Sequence, residues 1–264
     1  MNVLDLFSGI GGFSLAAERL KWKTVAFVEK DPICHKVLTK HFPDVPIFDD
    51  ITTFDGQEFI NTIDVICGGF PCQDISAAGK RVGITGERSG LWSELHRLIR
   101  TLRPRYAVVE NVSALLGRGM DVVLGDLSEI GYDAEWRVFS ACELGFPHPR
   151  ERVFIVAYPN GKPRSFSVLD RYCSEVAGRY QDAKKWGEDR FVSEVVSSPT
   201  RLLRDWQAEF SQSPLVRMDD GIPNILHRLR MTGNSIVPEI AYEIFRAIEY
   251  VETAKQCNSV VHLG

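Results

Sequence analysis

The 264-residue chain is 44% hydrophobic and 25% charged, the profile of a folded globular protein able to bury a full core. No apolar run approaches the roughly 18 residues that span a bilayer, and no signal-peptide pattern opens the chain, so a cytoplasmic location is expected. A net charge of −4 argues weakly against a polyanionic partner, but the distribution of charge does not: residues 1–75 carry eleven acids against six Lys/Arg, and residues 76–105 carry seven Lys/Arg against two acids. That layout suits a small-molecule site beside a phosphate-facing surface, with a solvated basic helix face as the equal alternative.

Taken in chain order, strand-like and helix-like segments alternate through residues 1–158. Val3–Phe7 reads as a strand that runs into Ser8-Gly9-Ile10-Gly11-Gly12 and a helix over Phe13–Leu20. Thr24–Val28 is a strand ending at Glu29, Pro32–His41 a helix, and Val45–Phe48 a short strand leading to Asp49-Asp50-Ile51. Ile63–Cys67 is a strand, Leu91–Leu102 a helix, Tyr106–Glu110 a strand and Val122–Ile130 a helix. Ala134–Ser140 and Arg152–Tyr158 read as strands. Such alternation specifies an α/β protein with a doubly wound, mostly parallel sheet. Residues 159–215 lose periodicity and are rich in Pro, Gly, Ser and Arg, which predicts a small irregular lobe. Order returns at Asn224–Arg230 and in the helix Pro238–Val251, so residues 216–253 are expected to rejoin the first domain and 254–264 to fray.

Four short blocks carry the chemistry. In Asp5-Leu6-Phe7-Ser8-Gly9-Ile10-Gly11-Gly12-Phe13, a strand enters a glycine turn and a helix, which lets a ligand approach the backbone at the carboxyl edge of the sheet. Glu29 ends the next strand, where it suits a ribose hydroxyl, and Asp50 ends the third. The acidic lining, and a glycine order that differs from the dinucleotide fingerprint, favour a cationic sulfonium over a pyrophosphate. Gly68-Gly69-Phe70-Pro71-Cys72-Gln73 puts a cysteine on a rigid turn at the same edge, where a thiolate could add to an aromatic base. Glu110-Asn111-Val112 places at another strand end a carboxyl group that could bind the N3 edge of cytosine if its pKa were raised. In Pro147-His148-Pro149-Arg150-Glu151-Arg152, two arginines spaced by one residue point to one side, toward a base carbonyl or a phosphate. Taken singly, each block is more simply a tight turn, a buried thiol or a surface charge. Six scattered cysteines have neither zinc spacing nor a Cys-x-x-Cys pair, and no metal is expected.

Together with Gly233-Asn234-Ser235, these blocks resemble those of the DNA cytosine-C5 methyltransferase family, especially its short bacterial and phage-type members. The likeness covers residues 2–158 and about 216–250. It implies a Rossmann-like domain that binds S-adenosyl-L-methionine and methylates C5 of a flipped-out cytosine in double-stranded DNA through a Cys–C6 adduct. By that resemblance Cys72 is the nucleophile, Glu110 activates N3, and Arg152 with Arg150 lies at the target base. The cofactor pocket takes Phe7, Gly9, Gly11, Gly12, Glu29, Lys30, Asp50, Ile51, Pro71, Leu91, Asn234 and Ser235. The segment Asp74–Gly90, with four glycines, fits a closing loop, and Gln73, Ser76, Lys80, Arg81 and Arg88 are its expected DNA contacts. The resemblance further implies a monomer, and leaves two options open: a cognate restriction endonuclease in a restriction-modification pair, or action as an orphan.

The chain departs from the family pattern at His148, where Gln is usual, in the weak block at residues 217–223, and in a lobe of only about sixty residues. Two alternatives stay open: a tRNA-type cytosine-C5 methyltransferase, and a catalytically silent DNA-binding homologue.

Overall fold

A computed structural model describes residues 1–71, 90–144, 150–161, 167–172 and 235–261. Cys72, Gln73, Ser76, Lys80, Arg81, Arg88, His148 and Asn234, together with the segment 216–234 and most of the expected lobe, lie outside them.

Seven strands form one sheet: β1 (Asn2–Leu6), β2 (Lys23–Val28), β3 (Ile47–Phe48), β4 (Val65–Gly69), β5 (Tyr106–Val112), β6 (Tyr132–Ser140) and β7 (Glu151–Pro159). Their order is β3-β2-β1-β4-β5-β7-β6. The pairs from β3 through β5 are parallel, and β7 runs antiparallel to both its neighbours. The helices are α1 (Gly12–Arg19), α2 (Pro32–His41), α3 (Gly90–Leu102), α4 (Met120–Glu129) and α5 (Pro238–Val261). A doubly wound, mostly parallel sheet is therefore the architecture, as the alternating pattern predicts.

The central strands read as continuous apolar runs because both their faces are covered. One face packs Leu4, Leu6, Ile66, Ala107 and Val109 under α3 and α4, through Trp92, Leu95, Leu98, Val123 and Leu127. The opposite face packs Val3, Val65, Cys67, Tyr106 and Val108 under α1 and α5, through Phe13, Ala17, Ile240, Ile244, Phe245 and Ile248. Each such fully buried large side chain stabilises the fold by roughly 1.5–3 kcal/mol.

Two features differ from the sequence pattern. Helix α5 runs on to Val261, beyond the apolar stripe that ends at Val251. Within the stretch expected to form the lobe, Val168, Leu169 and Tyr172 are buried beside Phe139, Phe154 and α5. Glu135 on β6 holds this short helical segment by accepting bonds from the Val168 and Leu169 amides. The core thus takes in a piece of chain whose composition reads as irregular.

The strand order turns back on itself between β1 and β4, so the carboxyl ends of these two strands flank a crevice. The glycine loop leaves β1 there, and Phe70-Pro71 leaves β4.

Candidate active site

The first wall is the turn from β1 to α1. Phe7 sits at φ 52°, a left-handed conformation that costs a non-glycine residue roughly 1–3 kcal/mol. Ser8 fastens the turn by donating its hydroxyl to the Asp5 carbonyl at 2.6 Å. Gly12 opens α1, and a Cβ on it would lie 2.7 Å from Cγ1 of Ile236, so the chain entering α5 seats directly on this loop. A Cβ on Gly9 would meet nothing within 4 Å, which leaves that stretch of backbone facing open space.

Glu29, at the end of β2, accepts the Gly9 amide at 2.7 Å and the Asp31 amide at 2.8 Å. Its carboxylate ties the loop to β2, and each oxygen keeps a second lone pair for a ligand hydroxyl. Asp50 accepts the Thr52 amide and hydroxyl and pairs with Lys30 at 3.0 Å. These partners hold its carboxyl down at about 2. Ile51 is buried, and its carbonyl accepts from Arg97 on α3. Leu91 packs at the edge of the same core, and Pro71 is exposed at the end of β4.

The second wall carries the acid. Strand periodicity puts Glu110 of β5 on the α1/α5 face, opposite Phe154 of β7, and Arg152 lies two residues from Phe154 on that same face. Long side chains bridge such a diagonal, and Arg152 Nε meets Glu110 Oε1 at 2.9 Å. Burial pushes the Glu110 carboxyl up to about 7, while Arg152 and Arg150 pull it down. The carboxyl presses so close to β4 that a Cβ on Gly69 would lie 2.5 Å from Glu110 Oε2. Any side chain at Gly69 would have to push the carboxyl aside.

Phe7, Ser8, Gly12, Phe13, Gly69, Glu110, Ser235 and Ile236 line one cleft between the two walls. The structure thus brings Phe7, Gly12, Glu110 and Ser235 to one cleft, with Arg152 on Glu110. Glu29, Lys30 and Asp50 lie along the neighbouring strand ends. Among the described residues, no group of three His, Cys, Asp or Glu side chains could hold a metal. No helix among them is long and apolar enough to cross a membrane.

Two contributors escaped the sequence reading. Asn111 donates to the Phe70 carbonyl at 3.3 Å and accepts the Val112 amide, so β5 holds the turn that leads into Cys72. A buried polar residue directly after a strand-end Glu is the signal that could have marked it. Asp5 is completely buried beneath the glycine loop, takes the Ser14 hydroxyl at 2.7 Å on Oδ2, and has no partner on Oδ1. An acid inside an apolar strand was its visible trace.

The model of the C-5 cytosine-specific DNA methylase family matches residues 1–213. The chain belongs to that family. It is 40% identical over 165 residues to the type II methyltransferase M2.BsuMI of Bacillus subtilis, covering 60% of this chain and 42% of that one. It is 33% identical over 185 residues to the type II methyltransferase M.AquIA of a Picosynechococcus species, covering 62% of this chain and 75% of that one. A solved E. coli structure, assigned as a prophage-encoded DNA modification methyltransferase, matches with a TM-score of 0.53 at 26% identity, over 63% of this chain and 49% of that one. The chain therefore spans about two fifths of M2.BsuMI and about half of the solved E. coli chain.

Proposed function

We propose that this chain transfers a methyl group from S-adenosyl-L-methionine to C5 of cytosine in double-stranded DNA. Family membership supports the reaction class, and one observation carries the chemistry. Glu110, buried at a strand end and held near neutrality against Arg152, lines the same cleft as the glycine loop.

The residues present fit the cofactor. Open space beside the Gly9 backbone admits a ligand, Glu29 has free lone pairs there, and Phe7 and Ile236 provide apolar walls. When bound, S-adenosyl-L-methionine supplies an electrophilic methyl carbon. Cys72 adds as a thiolate to C6 of the base, which makes C5 nucleophilic. Glu110 shares a proton with N3 as that addition proceeds, because a carboxyl near 7 can both hold and release one at neutral pH. Arg152 orients the carboxyl and is assigned by the family resemblance to the target base. Loss of the C5 proton to water and departure of Cys72 then restore the aromatic ring and the free thiol.

A duplex cytosine must leave the stack to be attacked, at a cost of roughly a few kcal/mol. Gln73, Ser76, Lys80, Arg81 and Arg88 are assigned to the loop that closes over it. Action as a monomer, either beside an endonuclease that reads the same site or as an orphan, completes the proposal.

Bisulfite sequencing of host DNA with and without the gene gives the target site. Duplex DNA bearing 5-fluorocytosine at that site should then trap a covalent adduct that Cys72→Ser abolishes. Methylation that survives Cys72→Ser would refute the nucleophile, and an adduct with tRNA but not duplex DNA would refute the substrate.

A further inference from the structure

The final segment of the described chain forms one wall of the cleft through Ser235 and Ile236, and Ile236 rests on Gly12 of the cofactor loop. What fixes that wall from the other side is Arg150. Its Nη2 donates to the Ser235 carbonyl at 2.7 Å, joining residues 85 positions apart in sequence. Its Nε is buried without a hydrogen-bond partner, held in the field of Arg152 and Glu110. Arg150 and Arg152, one residue apart at the start of β7, share a face, yet their contacts divide. Arg152 reaches the carboxyl and Arg150 reaches the cofactor wall.

We infer that Arg150 is a positioning residue that latches the Ser235–Ile236 wall over the glycine loop, so that cofactor affinity depends on it while the base-activating pair depends on Arg152. This rests on the cofactor reading above. Burial lowers the Arg150 pKa, with Arg152 adding to the effect and Glu110 opposing it, yet the group stays a cation at neutral pH. A cationic donor on a partly buried carbonyl is among the stronger kinds of hydrogen bond. Arg150 also faces Glu110. Among the described residues, the charged groups that act on that carboxyl are Arg152 and Arg150. Loss of the Arg150 charge therefore moves Glu110 further up, whereas loss of its reach frees the wall.

The test uses the full chain and S-adenosylhomocysteine as probe, with binding measured by calorimetry in the absence of DNA. Arg150→Met should weaken binding on the order of tenfold, the scale of one charge-assisted hydrogen bond, whereas Arg152→Met should leave it near wild type. Arg150→Lys keeps the charge without the fork, so it should recover the wild-type pH dependence of methylation at saturating cofactor but only part of the affinity. Arg150→Met should shift the alkaline limb of that profile upward. Equal affinities for wild type and Arg150→Met would overturn the latch and leave the methyltransferase reading standing. A wild-type protein that binds no S-adenosylhomocysteine would overturn that reading, and the latch with it.

Discussion

Asp5 gives the most exacting test of the electrostatics beneath the glycine loop. Its carboxyl is fully buried, its Oδ1 has no hydrogen-bond partner, and burial raises its pKa from 3.8 to about 7, with Glu29 adding to the rise and Ser14 and the Cys67 thiol opposing it. One pKa unit corresponds to about 1.4 kcal/mol, so keeping this group ionised in the fold costs about 4 kcal/mol in total. The sign follows from linkage. Below the unfolded value both states are protonated and nothing is lost; as pH rises toward about 7, the unfolded chain releases its proton first and stability falls. Asp5→Asn cannot ionise and keeps an acceptor for Ser14. The stability of the variant relative to wild type should therefore grow by roughly 2–3 kcal/mol between about pH 5 and about pH 8.5. Urea unfolding of both proteins at the two pH values measures this, and because Glu110 titrates in both proteins its contribution cancels. A wild-type-minus-variant difference that is flat with pH, or that favours wild type at the higher pH, would refute a buried and poorly partnered carboxylate.

The cleft supports three more expectations. With Glu110 at about 7 acting in its protonated form, kcat/KM for methylation should fall as pH rises through that value. Glu110→Gln should lower the rate by roughly 10²–10⁴ and flatten the limb, and a limb that survives the substitution assigns the titration elsewhere. Gly69→Ala puts a Cβ 2.5 Å from Glu110 Oε2, so it should displace the carboxyl from Arg152 and depress methylation while S-adenosylhomocysteine still binds. Gly12→Ala should do the reverse: its Cβ would meet Ile236 at 2.7 Å, and calorimetry should show weakened S-adenosylhomocysteine binding.

The parallel strands were legible because burial on both faces leaves unbroken apolar runs such as Val65–Cys67 and Tyr106–Val109. Their loops were legible because glycine is needed where backbones crowd: a Cβ on Gly68 would run into the Leu6 carbonyl, and one on Gly12 would press on Ile236. The antiparallel insertion of β7 between β5 and β6 was not, since nothing local to Glu151–Pro159 records which strand it will pair. That pairing is what turns Glu110 and Arg152 into neighbours. Val168, Leu169 and Tyr172 escaped for a related reason: so short a segment shows no helical stripe, and Glu135 supplies the cap from a distant strand. Arg150 was visible as part of a motif, but its partner is a backbone carbonyl, and a carbonyl leaves no mark in a sequence.

The pairing of Glu110 with Arg152 poses a question of magnitude. An exposed carboxylate beside a guanidinium would sit below its ordinary value, and a buried one without a cation would sit far above it. Here burial outweighs two arginines, and the carboxyl ends near 7, still hydrogen-bonded to one of them. Neither extreme would serve the proton sharing with a ring nitrogen that we propose for Glu110. A strongly depressed acid would have no proton at neutral pH, and a strongly raised one would not yield it. Gly69 belongs to the same balance: it lets β4 pass close to the carboxyl, and a Cβ there would meet Glu110 Oε2 at 2.5 Å. The poise of the acid is thus set by burial against Arg152 and Arg150, at a contact where glycine gives the carboxyl room.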